Sequence, residues 1–310
     1  MTAFVGYYDQ RSGYAASLEN QVGVGFRCIR LNYGFNEDGT TTPKGGGGYL
    51  DNEHDRILAR WGYKPRGYWN MNLEPGISFA DVKARKPDVV ACLRSRVQLI
   101  KTNPRWTKDS PIFVSFHHEQ SVDTHTLYEP GDPNYDNQPS GGKPEDYAGA
   151  FKVFHDICAE ENTLRSQGGA IMLCFVPTAG QFLPIDKLAT WKQAWHVDKI
   201  APDPKLYQYA GCDFYTRPSR PTSADLDYVN AFARKVGKKF IIGELGIQND
   251  VDQGAYINEV RTRLKSYGDK AGGCNAACFT FKADAGNQIE PEAMDEFKAL
   301  MNDPFFQRTL

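Results

Sequence analysis

Eight short apolar or alternating runs, each ending in polar residues and most followed by a stretch with helical spacing, constrain the fold of this 310-residue chain more than any other feature. The strand candidates cover residues 4–8, 27–33, 67–72, 112–117, 170–176, 208–215, 240–244 and 277–282. Helical spacing stands out over 81–101, 144–165, 223–236 and 253–267. Helix starts are marked by Pro144 with Glu145 and Asp146, by Ser223 with Asp225, and by Asp252. Strand–helix alternation calls for a parallel sheet covered by helices. A count of eight predicts closure into a single (β/α)8 TIM barrel, one domain over 1–310, with extended βα loops forming a substrate cleft. An open doubly wound sheet competes, but it usually shows a Gly-rich phosphate turn after an early strand. The four glycines at 45–48 lack that spacing and read as a flexible surface loop.

At 41% hydrophobic content the chain can bury a core of the size a barrel needs. A formal net charge of -2, with basic residues in short clusters such as Lys83, Arg85 and Lys86 or Arg234 and Lys235, argues against nucleic acid as a partner; the clusters read as solvated helix faces. No apolar run reaches the roughly 18 residues of a membrane span. The first residues carry no charged n-region and no apolar stretch of a secretory leader. Seven cysteines, an odd number without a C-x-x-C pair, read as mostly buried free thiols, with no zinc ribbon and no disulfide framework. A reducing compartment fits best; a removed leader or a phage-borne protein is also compatible. The expectation is a monomer without metal or cofactor.

Two strand candidates end in carboxylates. One run reads Pro111-Ile-Phe-Val-Ser-Phe-His-His-Glu119, the other Lys238-Lys-Phe-Ile-Ile-Gly-Glu244-Leu-Gly246. Counted along the chain these are strands four and seven, and in a closed parallel barrel both acids would meet at the C-terminal mouth. A retaining glycosidase needs such a pair, one carboxyl as acid and then base and the other as nucleophile, about 5–5.5 Å apart. Alternation along strand four would put His117 and Glu119 on one face. Taken singly, Glu119 would be read as a cap on the next segment and Glu244 as the partner of an Arg or Lys inside the barrel. Together, at these two strand ends, they read as catalytic. The long polar segment 120–143 would form one wall of a cleft, or be an insertion without substrate contact.

The pair His118-Glu119, the run Cys212-Asp-Phe-Tyr215 and the run Phe240-Ile-Ile-Gly-Glu244-Leu-Gly246 together resemble glycoside hydrolase family 26, a β-mannanase-like group within the large clan of retaining (β/α)8 glycosidases. The resemblance spans roughly residues 4 to 285. It implies Glu119 as acid/base, Glu244 as nucleophile, His118 on a sugar hydroxyl, and Tyr215 donating to the nucleophile, with Asp213 beside it among the substrate contacts. An apolar wall and a neighbouring negative charge would make Glu119 hold its proton more tightly. Two departures stand out. Residues 113–117 lack the Arg-Pro-Leu-like stretch of mannan-cleaving members, and strand eight ends Phe279-Thr-Phe-Lys282 where many clan members place a tryptophan, leaving Phe281 or Lys282 as the floor of the sugar subsite. Sugar rings also need aromatic platforms. Trp69 is the first choice for stacking, with Tyr33 at the mouth beside Tyr8 and Phe175; Trp191 and Trp195 read as packing residues. The expected partner is a polysaccharide or oligosaccharide, with β-mannan as the family default and β-xylan, β-glucan or a microbial cell-wall glycan as alternatives.

Three rivals are weaker. A metal-dependent hydrolase would draw on His117, His118, Glu119, Asp123 and His125, but His-Glu-x-x-His fails because Val122 stands at the last position. A non-catalytic carbohydrate-binding barrel would normally lack one of the two carboxylates. Serine-nucleophile chemistry would need a Gly-x-Ser-x-Gly elbow, which does not occur.

Overall fold

The computed structural model describes residues 4–9, 13–32, 46–73, 77–117, 142–188, 190–216, 222–247, 252–281 and 288–307. Eight strands form a closed barrel in chain order: β1 Phe4–Asp9, β2 Cys28–Asn32, β3 Arg66–Met71, β4 Ile112–Phe116, β5 Ile171–Phe175, β6 Tyr209–Thr216, β7 Lys239–Ile247 and β8 Cys274–Phe281. β1 pairs in parallel with β2 and β8, β7 with β8, and β4 with both β3 and β5. The expected (β/α)8 architecture is therefore the observed one. No helix among the described residues is long and apolar enough to cross a membrane.

The chain divides into two compact units, residues 1–31, 48–66 and 210–310 in one and 32–47 and 67–209 in the other. In the second, the helix Pro144–Glu160 starts at Pro144, whose missing N–H costs nothing there, and carries Glu145 and Asp146 in its first turn. Tyr147, Ala150, Phe151, Phe154, Ile157 and Cys158 repeat at helical spacing and are buried. Phe116 at the end of β4 stacks on Phe154 at 5.0 Å, and its carbonyl accepts from the Tyr147 hydroxyl at 3.0 Å. Each such ring contributes about 1.5–3 kcal/mol by burial. The helix stops at Glu160, short of the expected 165, where Asn162 turns left-handed at φ 55°.

In the first unit, Tyr7 and Phe279 point outward from adjacent strands and pack with Phe26 and Phe297 at ring distances of 4.8–6.2 Å. On the opposite face of the same strands, Gly6 is paired with Cys28 on one side and Cys278 on the other. A Cβ at Gly6 would come within 2.6 Å of Cys28 Cβ and 2.8 Å of Cys278 Sγ, so the two cysteines occupy the space the glycine leaves. All seven cysteines are free thiols, six of them buried.

Two expectations are corrected. The helix expected over 81–101 is two, Phe79–Lys83 and Pro87–Thr102. Pro87 has no N–H to continue the first helix and pushes Lys86 out of the helical region, and Arg85 turns left-handed at φ 53°. The glycines 46–48, expected in a loop, open the helix Gly46–Trp61; a downstream segment that buries Ile57 overrides their poor propensity. The basic cluster beside the first break is solvated as expected. Lys83, Arg85 and Lys86 pair with Asp146, Glu160 and Asp81 at the surface.

Candidate functional site

The inner face of the first unit gathers charge from three strands. Arg30 lies two residues beyond Cys28 on β2 and so shares its face. Its side chain is fully buried; Nη2 contacts Glu244 Oε1 at 2.6 Å and Nη1 donates to Asp213 Oδ1 at 3.2 Å. Tyr215 donates its hydroxyl to the other oxygen of Glu244, Oε2. Both oxygens of Glu244 are thus held, one by a cation from β2 and one by a phenol from β6, and its side chain keeps 7% exposure.

Simple alternation would not have aimed Glu244 this way. Ile242 pairs with Ala277 and Leu245 with Phe279, so three steps along β7 match two along β8. The extra residue is a bulge between them, which turns Glu244 inward while Ile242 and Leu245 both follow outward neighbours. Gly246 completes the arrangement. A Cβ there would lie 2.1 Å from Cδ1 of the Tyr215 ring, so only glycine lets that ring rest against β7 and reach Glu244.

Asp213 and Tyr215 share one face of β6, while Phe214 between them stacks on Tyr256 at 6.4 Å. Expected among the substrate contacts, Asp213 has no exposed side-chain surface and is engaged by Arg30. Burial pushes its carboxyl up to about 6, against the pull of the Arg30 guanidinium. Arg30 was not singled out in the sequence. The signal was present all the same: a lone arginine in the apolar strand Cys-Ile-Arg-Leu-Asn must find carboxylates if it is buried.

The other expected residues are distributed differently. Trp69, the first choice for stacking, pairs with Val114 on the face that Phe116 presents to the helix Pro144–Glu160, and at 5% exposure it is a packing residue. Phe175 is fully buried among Tyr147 and Tyr207, a packing role, and Trp195 packs against Phe79. Phe281 ends β8, but its side chain, like those of Tyr8 and Trp191, lies outside the description, as do His118, Glu119, Tyr33, Lys282 and the segment 120–141. β4 ends at Phe116, and His117 turns left-handed at φ 47°, which breaks the alternation expected to carry through to Glu119. His117 is held by its own contacts: its N–H donates to the Met71 carbonyl at 2.9 Å, its Nδ1 accepts from the Leu73 N–H at 3.2 Å, and its ring meets Phe79 edge-on at 5.0 Å.

No protein-family model matches the chain, and no curated protein does. Solved structures match over almost the whole chain. A Cellulomonas fimi endo-β-1,4-mannanase double mutant is 15% identical with a TM-score of 0.61, the match covering 99% of this chain and 72% of that one. A GH26 β-mannanase from Bacteroides ovatus is 10% identical with a TM-score of 0.63, over 99% and 90%. An endo-β-1,4-glucanase from Xanthomonas axonopodis is 11% identical with a TM-score of 0.60, over 96% and 99%. At such identities the likeness establishes the fold, and the fold is the (β/α)8 barrel on which these proteins are built.

Proposed function

We propose that the chain is a retaining glycoside hydrolase of the family 26 type, a single catalytic domain over 1–310 that cleaves a β-linked polysaccharide by double displacement without cofactor. The observation that carries the reading is the hold on Glu244: a carboxylate near the end of β7 with Arg30 on one oxygen and Tyr215 on the other. A nucleophile must be ionised and fixed in aim, and a guanidinium and a phenol supply both. Glu119 acts as acid and then base. It protonates the leaving oxygen while Glu244 attacks the sugar carbon, then draws a proton from the water that releases the sugar from Glu244. His118 binds a hydroxyl beside the reacting carbon. Phe281 flanks the sugar, with Tyr33 at the mouth. The solved structures that this chain resembles include mannanases and a glucanase, which supports a β-glycan as substrate, with β-mannan as the first choice.

The test is sugar release by wild type, Glu119→Ala and Glu244→Ala from β-mannans, β-xylans, β-glucans and bacterial cell-wall polysaccharides. Release that both substitutions abolish establishes the mechanism and names the substrate. No release by folded wild type, with glycan still retained on the protein, would overturn catalysis in favour of a carbohydrate-binding barrel.

A further inference from the structure

Arg30 divides its two terminal nitrogens between two carboxyl groups, Nη2 to Glu244 and Nη1 to Asp213. Asp213 has no exposed side-chain surface, so it does not meet a sugar in the cleft; it reaches Glu244 through Arg30. Its strand also supplies Tyr215, two residues on and on the same face. β6 therefore acts on both oxygens of Glu244: directly on Oε2 through Tyr215 and indirectly on Oε1 through Arg30. The ionisable groups described on this face include Arg30 and Cys28 from β2, Arg66 from β3, Asp213 and Tyr215 from β6, Glu244 from β7 and Cys278 from β8.

We propose that Asp213 is a positioning residue for Glu244: it fixes the plane of the Arg30 guanidinium and takes up part of its charge, so that Glu244 is held without being over-stabilised as a bystander anion. The inference rests on Glu244 being the nucleophile. A carboxylate fully committed to a cation is a poor attacking group, because its negative charge is already satisfied. A second carboxylate on the same cation weakens that commitment while keeping the geometry rigid. Asp213 suits the task because burial brings its carboxyl up to about 6, within reach of ordinary working conditions.

The experiment follows the Glu244 carboxyl by 13C NMR in protein labelled at glutamate side-chain carboxyls, with its resonance assigned by its loss in Glu244→Gln. Wild type and Asp213→Asn are titrated side by side. The expected result is a second inflection of the wild-type Glu244 resonance near pH 6, as Asp213 ionises and draws on Arg30, that is absent in Asp213→Asn. On whichever glycan wild type cleaves, kcat should fall at least about tenfold with KM nearly unchanged. A wild-type profile without that inflection, or an inflection that Asp213→Asn keeps, overturns the proposal. Should Asp213→Asn fail to fold, wild type alone decides: the Glu244 resonance must show a second inflection as Asp213 titrates, and a single inflection overturns it. The titration needs no turnover. An inflection lost in Asp213→Asn, in a protein that cleaves nothing, would sink the hydrolase reading and leave the charge coupling standing.

Discussion

Replacing Gly246 with alanine perturbs the site while leaving every polar atom of Arg30, Asp213, Tyr215 and Glu244 in the chain. The new Cβ would lie 2.1 Å from Cδ1, 2.4 Å from Cε1 and 3.2 Å from Cγ of Tyr215. Carbon atoms rest at about 3.5–4.0 Å, so ring or strand must retreat by roughly 1.4 Å at the closest atom. A bond between the Tyr215 hydroxyl and Glu244 does not survive such a displacement. Overpacking costs about 1–3 kcal/mol, and a hydrogen bond to a charged group is worth about 1.5–3 kcal/mol, so a loss of about 2.5–6 kcal/mol is expected. The assay is urea unfolding of wild type, Gly246→Ala, Tyr215→Phe and the double variant. If the alanine acts by displacing the tyrosine, removing the hydroxyl afterwards costs little more, and the coupling approaches the worth of the bond. Additivity within about 0.5 kcal/mol would refute the reasoning, as would a Gly246→Ala protein as stable as wild type.

Four further outcomes are expected. Arg30→Met strands Asp213 and Glu244 without their shared cation and should cost about 3–5 kcal/mol at neutral pH, with a smaller loss in acid as the carboxyls take up protons; urea unfolding at about pH 7 and about pH 5 checks both. For Asp213, raised to about 6 from an ordinary 3.8, the folded state binds the extra proton between those values, so ionisation works against folding as pH rises through the window. Asp213→Asn should therefore gain stability relative to wild type from about pH 4 to about pH 7, and a pH-independent difference would contradict the assignment. Ser78 and Asp81 form a reciprocal cap on the helix Phe79–Lys83, and Ser78→Ala should cost about 1 kcal/mol. Lys86 and Ser78 hold the Asp81 carboxyl down at about 2, so the penalty of Asp81→Asn is full above 3.8 and should fade as pH falls toward 2 in thermal melts.

Much of this architecture could be read along the chain, because a parallel barrel repeats one local pattern. Apolar runs at 112–116 and 171–175 are strands, and the Pro144 start with its helical spacing is a helix, since each rule involved acts within a turn or a strand. The expectations that slipped did so where a local signal met a competitor. Pro87 split one helical pattern in two, and packing drew glycines 46–48 into a helix. Within the site, Glu244 and Tyr215 were visible as a carboxylate and a hydroxyl near strand ends. Their contact was an implication of resemblance; in the structure the Tyr215 hydroxyl donates to Glu244.

What the sequence by itself determined is the alternation that makes eight strands and their helices, together with the chemical types delivered near the strand ends. What only the tertiary structure decided is which of those groups meet. Arg30 and Asp213 stand 183 residues apart, and no spacing rule joins them. They pair because a buried guanidinium has to find carboxylates, and barrel closure brings β2, β6 and β7 to one interior. The inward turn of Glu244 likewise comes from a bulge against β8, a mismatch of register that exists only once two strands are laid side by side.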